Sequence, residues 1–92
     1  MLVVRDNPGL GRFEIGSGDA IAFVEYRRIG NRVVLIHTEV PKEMSGQGVG
    51  SKLVGGVLDV LRTEGATVVP QCEFVARFIQ QHPGYRSLVA ED

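Results

Sequence analysis

Three glycines at alternate positions, Gly46, Gly48 and Gly50, lie in the run Ser45-Gly46-Gln47-Gly48-Val49-Gly50-Ser51-Lys52. Without side chains in the way, backbone N–H groups in such a run can converge on one point. At the start of a helix those groups, aided by the positive end of the helix dipole, form a seat for a phosphate or diphosphate. Lys52 adds a cation beside them. The plainer alternative is a tight strand-to-helix turn that binds nothing. Two phosphate motifs are excluded by residue order. A P-loop requires G-x-x-x-x-G-K-[ST], and here Ser51 separates Gly50 from Lys52. A dinucleotide fingerprint needs a glycine where Ser51 stands and a place in a first βαβ unit, yet four strand-like runs precede this loop.

Three further residues carry reactive chemistry. Cys72 stands just before the last helical segment, where a helix dipole lowers a thiol pKa and makes a nucleophile. The alternative is a small buried hydrophobe. His37 and Glu39 share strand parity and therefore one face, so either can handle protons there; a solvated strand-end pair is the alternative. A metal site is not expected, because Cys72, His37 and His82 are scattered without ligand spacing.

The elements that must hold these residues follow from periodicity. Leu2 to Arg5 reads as a short strand closed by the turn cluster Asn7-Pro8-Gly9. Arg12-Phe13-Glu14-Ile15 alternates, and Gly16-Ser17-Gly18-Asp19 turns the chain into a strand from Ala20 to Ile29. Gly30-Asn31 is a two-residue hairpin signal. Val33 to Val40 is β-branched and apolar on both faces at first, which predicts a central strand ended by Pro41. From residue 46 the period changes: Val49, Leu53, Val57, Leu58 and Leu61 form one helical stripe, and Gly65 stops it. Gly55 and Gly56 inside that helix each cost about 1 kcal/mol relative to Ala, which points to close packing on the sheet. Thr67 to Pro70 reads as a strand. Phe74, Val75, Phe78 and Ile79 mark a last helix ended by His82-Pro83-Gly84. Four strands, helix, strand, helix predicts an α/β (α+β) fold: a mixed, mostly antiparallel sheet of about five strands, with the fourth and fifth parallel.

Ninety-two residues make one domain, 1–92. Hydrophobic residues at 43% and charged at 23% exclude a disordered chain. A net charge of −1 argues against nucleic acid as partner. No apolar run approaches the roughly 18 residues of a membrane span, so no membrane partner is expected. The start lacks a basic segment followed by a long apolar one, and a single cysteine makes no internal disulfide; both lead to the expectation of a cytoplasmic protein. An exposed sheet edge is compatible with a monomer or a weak homodimer.

The glycine run resembles the diphosphate loop of the GCN5-related (GNAT) N-acetyltransferases, [QR]-x-x-G-x-[GA], with Gly48 and Gly50 at the two later positions and Ser45 departing from Gln or Arg. The chain is similar over nearly its whole length to a minimal, YjdJ-like subgroup. The resemblance is carried by His37-Thr38-Glu39-Val40-Pro41, by Gly46 to Val54, by Pro70-x-Cys72-x-Phe74 and by His82-Pro83-x-Tyr85.

This resemblance implies a GNAT fold that binds acetyl-CoA. It implies that the diphosphate sits on the backbone of Gly46, Gln47, Gly48, Val49, Gly50 and Ser51, with Lys52 adjacent. It places the pantetheine along Thr38 to Val40, between the fourth and fifth strands, with a strand N–H near Val40 to polarise the thioester carbonyl. Cys72 then lies near the acetyl end as a candidate acyl acceptor, beside Glu39 and His37 as candidate bases. Phe74 and Phe78 line the thioester channel and Tyr85 packs on the cofactor, unless these aromatics serve the core. The implied function is an acetyl-CoA-dependent N-acetyltransferase acting on an unidentified amine acceptor, directly or through Cys72. A coenzyme A or acyl-CoA binding module without efficient catalysis is the alternative, and a purely structural or partner-binding domain is a third.

Overall fold

The computed structural model describes residues 3–91 of the chain. Five strands run in the order β1 (Arg5–Asn7), β2 (Arg12–Ser17), β3 (Ala20–Ile29), β4 (Arg32–Glu39) and β5 (Thr67–Pro70). The helix α1 (Val49–Glu64) joins β4 to β5, and α2 (Glu73–Gln81) follows β5. Strands β1 to β4 form an antiparallel meander, and β5 lies parallel to β4. This is the mixed α/β architecture expected from the sequence.

Some boundaries differ. The first strand starts at Arg5, and Asn7 pairs with Arg12 instead of beginning the turn; Leu2 lies outside the described residues. Gly16 and Ser17 remain in the β2 ladder opposite Ile21 and Ala20, so the turn is made by Gly18 and Asp19 alone. β4 is an interior strand, but β3 is the middle one. Outside β5 the chain returns near its end, with a bridge from Val68 to Val89 and a hydrogen bond from the Ala90 N–H to the Val68 carbonyl.

One face of the sheet holds the core. Phe13, Ile15, Ala22, Val24, Val33, Leu35 and Val68 form one buried cluster with the stripe Val49, Leu53, Val57, Leu58 and Leu61 of α1 and with Val75, Phe78 and Ile79 of α2. The α1 stripe is the one the sequence spacing requires, and Gly65 ends the helix at φ +74°, its N–H bonding to the Arg62 and Leu61 carbonyls. Close packing does explain Gly55 and Gly56, but the partner is not the sheet. A Cβ on Gly55 would meet Phe78 Cζ at 3.4 Å, and one on Gly56 would meet Val4 Cγ2 at 2.5 Å.

A bulge in β4 sets the rest. Glu25 pairs with His37 and Tyr26 with Leu35, so Ile36 is an extra residue on the β4 side. It reverses the alternation beyond it. Val33 and Leu35 face the core, and then Thr38, paired with the buried Val24, takes the core side. His37 and Glu39, paired with Glu25 and Phe23, fall on the opposite face.

Candidate functional site

After Pro41 the chain makes a 3-10 turn, Lys42–Met44, that buries Met44. The Ser45 hydroxyl donates to the Lys42 carbonyl at 2.8 Å, so it is committed to closing that turn. Gly46 (φ +80°) and Gly48 (φ +71°) then take left-handed conformations that only glycine adopts cheaply, and Gly48 is the N-cap of α1. Helical hydrogen bonding starts with the Lys52 N–H on the Gly48 carbonyl, 3.1 Å. Among the described residues, the N–H groups from Gly46 to Ser51 donate to no acceptor of the chain. The first turn of α1 carries no acidic side chain. A row of free donors at a positive helix end, with no competing anion, can hold a diphosphate.

Beside this row lies a shallow cavity of about 270 Å³, bordered by the loop, Val40, Met44 and Phe74. Phe74 is 43% exposed and turns its ring to Gly50, where an added Cβ would stand 2.7 Å from its Cζ. Gly50 is therefore a close-approach glycine. Gln47, Ser51 and Lys52 are exposed, and of the three Ser51 borders the cavity.

Next to the loop the sheet opens. β5 pairs with β4 only from Arg32–Thr67 to Leu35–Pro70, and a last link runs from the Cys72 N–H to the Leu35 carbonyl, 2.9 Å. Beyond it, β4 runs on through Ile36 to Glu39 with no β5 partner. This leaves a slot between the end of β4 and the start of α2. Cys72, half-buried, is the N-cap of α2, and its thiol donates to Thr38 Oγ1 at 3.4 Å. Burial pushes the thiol pKa up, but hydrogen bonding from the Thr38 hydroxyl and from the N–H groups of Val75, Phe74 and Thr38 prevails. The pKa ends below the ordinary thiol value.

The sequence-predicted residues are thus divided by the strand. Thr38 and Val40 are half-buried; Thr38 stands on the core side with Cys72, and Val40 borders the loop cavity. His37 and Glu39 stand on the far side, Nε2 to Oε1 3.6 Å apart and with side chains more than half exposed. Sequence parity alone, without the bulge, does not show that Thr38 meets the thiol. Tyr85 borders neither the loop cavity nor the slot: its hydroxyl donates to Asp59 at 2.8 Å, and its ring lies 5.8 Å from Phe78. That bond to a carboxylate, with burial, raises the Tyr85 pKa. Phe78 is buried and stacks on His82 at 4.0 Å.

A sequence model of the GCN5-related N-acetyl-transferase family matches residues 12–88. The chain belongs to the GCN5-related N-acetyltransferase family. The solution structure of a GCN5-like protein from Staphylococcus aureus superposes with a TM-score of 0.73 at 26% identity, covering 97% of this chain and 88% of that one. In this GCN5-related N-acetyltransferase Val40 and Phe74 border the glycine-loop cavity, and Thr38 and Cys72, which bond to each other, precede them by two residues along the chain. Among the described residues no three His, Cys, Asp or Glu side chains are grouped to hold a metal ion. No helix of the described residues is long and apolar enough to cross a membrane.

Proposed function

We propose that this chain transfers the acetyl group of acetyl-CoA to an amine acceptor. The observation that carries the reading is the row of free N–H groups from Gly46 to Ser51, set beside a slot whose wall presents the Cys72 thiol on Thr38. Acetyl-CoA supplies an acyl carbon already activated as a thioester. The loop backbone binds the diphosphate, and Lys52 adds charge at its rim. The stretch from Thr38 to Val40, which has no β5 partner, lines the pantetheine, and a backbone N–H near Val40 polarises the carbonyl.

Cys72 accepts the acetyl group as its thiolate: its sulfur bonds to the acyl carbon as the bond to the coenzyme sulfur breaks, and the departing thiolate takes up a proton. A neutral amine then attacks the Cys72 acyl group, releases the Cys72 thiolate and gives up a proton. That proton goes to solvent on this route, because His37 and Glu39 stand across β4 from Cys72 and Thr38. Direct attack by the amine uses the same loop and slot and leaves Cys72 unmodified.

Mass spectrometry of the intact chain after incubation with acetyl-CoA separates these routes, alongside release of free coenzyme A with lysine peptides, polyamines and small amines as acceptors. The covalent route predicts one acetyl group on the wild-type chain and none on Cys72→Ala, with turnover lost in that variant. Turnover retained by Cys72→Ala leaves the direct route. Binding without turnover on any amine contradicts the transferase and leaves a coenzyme A binding module, a reading favoured only by the strong exposure of His37 and Glu39.

A further inference from the structure

A second cleft, of about 500 Å³, lies between the first turn of α1 and the outer flank of α2, lined by Ser51, Glu73, Phe74, Arg77, Phe78 and Gln81. Ser51 and Phe74 border both this cleft and the loop cavity, so the two adjoin. Phe74, Arg77, Phe78 and Gln81 are spaced i, i+3, i+4 and i+7, one stripe of α2 running about 10 Å away from the loop. Phe74 offers a part-exposed ring face, and among the described residues Arg77 is the only cation in the lining. Glu73 Oε1 accepts from Arg77 Nη2 at 3.1 Å, and among the described residues this is the only hydrogen bond of the Arg77 side chain. Four of the five guanidinium N–H donors are left for a ligand.

We infer that Arg77 reads the 3′-phosphate of coenzyme A in this cleft, so that the chain prefers coenzyme A to its 3′-dephosphorylated form. The inference rests on the coenzyme A reading above. A diphosphate held on Gly46 to Ser51 has two ends to place. The thioester end goes to the slot at Thr38 and Cys72, and the adenosine end goes to the adjoining cleft, where a flat base meets Phe74 and a phosphate meets Arg77. Glu73 has two opposed effects: it holds the guanidinium in place and repels the phosphate. Both side chains are mostly exposed, Arg77 at 67% and Glu73 at 86%, so the preference is modest and falls with salt.

Calorimetric titration of coenzyme A and of 3′-dephospho-coenzyme A into the full chain tests this. The wild type is expected to bind coenzyme A about fivefold more tightly at low salt. Arg77→Gln brings the affinity for coenzyme A down to that for the dephospho form and leaves the latter unchanged. Glu73→Gln is expected to widen the preference. Equal binding of the two ligands by the wild type, or an equal loss for both in Arg77→Gln, overturns the inference while leaving coenzyme A binding intact. No binding of either ligand to the wild type removes the coenzyme A reading and this inference with it.

Discussion

The Cys72 sulfur and the Thr38 hydroxyl oxygen lie 3.4 Å apart, joining the cap of α2 to β4 just past its bulge. Without the extra residue Ile36, Thr38 would project to the open face and the thiol would lose its side-chain partner. The contact matters because that hydroxyl can rotate to donate to a thiolate, stabilising the charged form.

The first prediction concerns the thiol itself. Its pKa lies below the ordinary value, so alkylation of Cys72 by iodoacetamide is expected to reach half its limiting rate at a lower pH than for a free thiol. Thr38→Val removes one donor to the thiolate and moves that midpoint up. A midpoint unchanged in Thr38→Val would show that the backbone N–H groups alone set the pKa.

Glu14 gives the acid side of stability. It is 4% exposed on the otherwise open sheet face, covered by Arg12 (2.5 Å), Asn7 (3.1 Å) and Arg5 (3.4 Å). Hydrogen bonding from Arg12 lowers its pKa, burial opposes this, and Asn7 and the charges of Arg12 and Arg5 lower it further. The cover is only one side chain thick, so water screens the pair and Glu14→Gln is expected to cost about 1 kcal/mol at pH 7. A depressed folded pKa stabilises the fold above the ordinary carboxylate pKa and loses that contribution as pH falls through the folded value. Urea titrations at pH 7 and near pH 3 should therefore show the penalty shrinking with acid. An equal penalty at both pH values would count against the ion cluster.

Glycine replacements separate loop from scaffold. At Gly50 a Cβ would meet Phe74 Cζ at 2.7 Å, but that ring is partly exposed and can swing away. Relief of the helical glycine penalty, about 1 kcal/mol, offsets the clash. Gly50→Ala is expected to leave stability within about 1 kcal/mol and to weaken acetyl-CoA binding. At Gly16 the same Cβ would lie 2.2 Å from the Ala20 carbonyl oxygen, with φ +103°, and backbone cannot give way. Gly16→Ala should cost about 3 kcal/mol or more. Thermal melts and calorimetry on both variants check the contrast.

The sequence made the helices and the strand order readable because their signals are local. The α1 stripe and the Gly65 stop depend on spacing within a few turns, and the Gly30-Asn31 turn fixes the β3–β4 hairpin. The bulge at Ile36 is different. Val33 to Val40 is uniformly strand-like, and only pairing with Glu25 and Tyr26 across the hairpin shows where a residue is extra. For that reason Thr38 was legible as a strand residue but not as the partner of Cys72. The second cleft was hidden in a stripe that reads as core. Phe78 does enter the core, whereas Phe74 on the same stripe stays partly exposed, its ring turned to Gly50. Arg77 and Gln81 at i+3 and i+7 were the available signal.

The row of free N–H groups from Gly46 to Ser51 is the centre of the account, and titration calorimetry of acetyl-CoA into the wild-type chain and Gly48→Val tests it most directly. Gly48 sits at φ +71° with open space around it, so valine there strains the loop through its backbone without clashing with the core. The expected result is saturable one-to-one binding by the wild type and at least about tenfold weaker binding by Gly48→Val, in a variant that still folds. No binding by the wild type at millimolar acetyl-CoA, or equal binding by both proteins, would contradict the assignment of this loop as the coenzyme A seat.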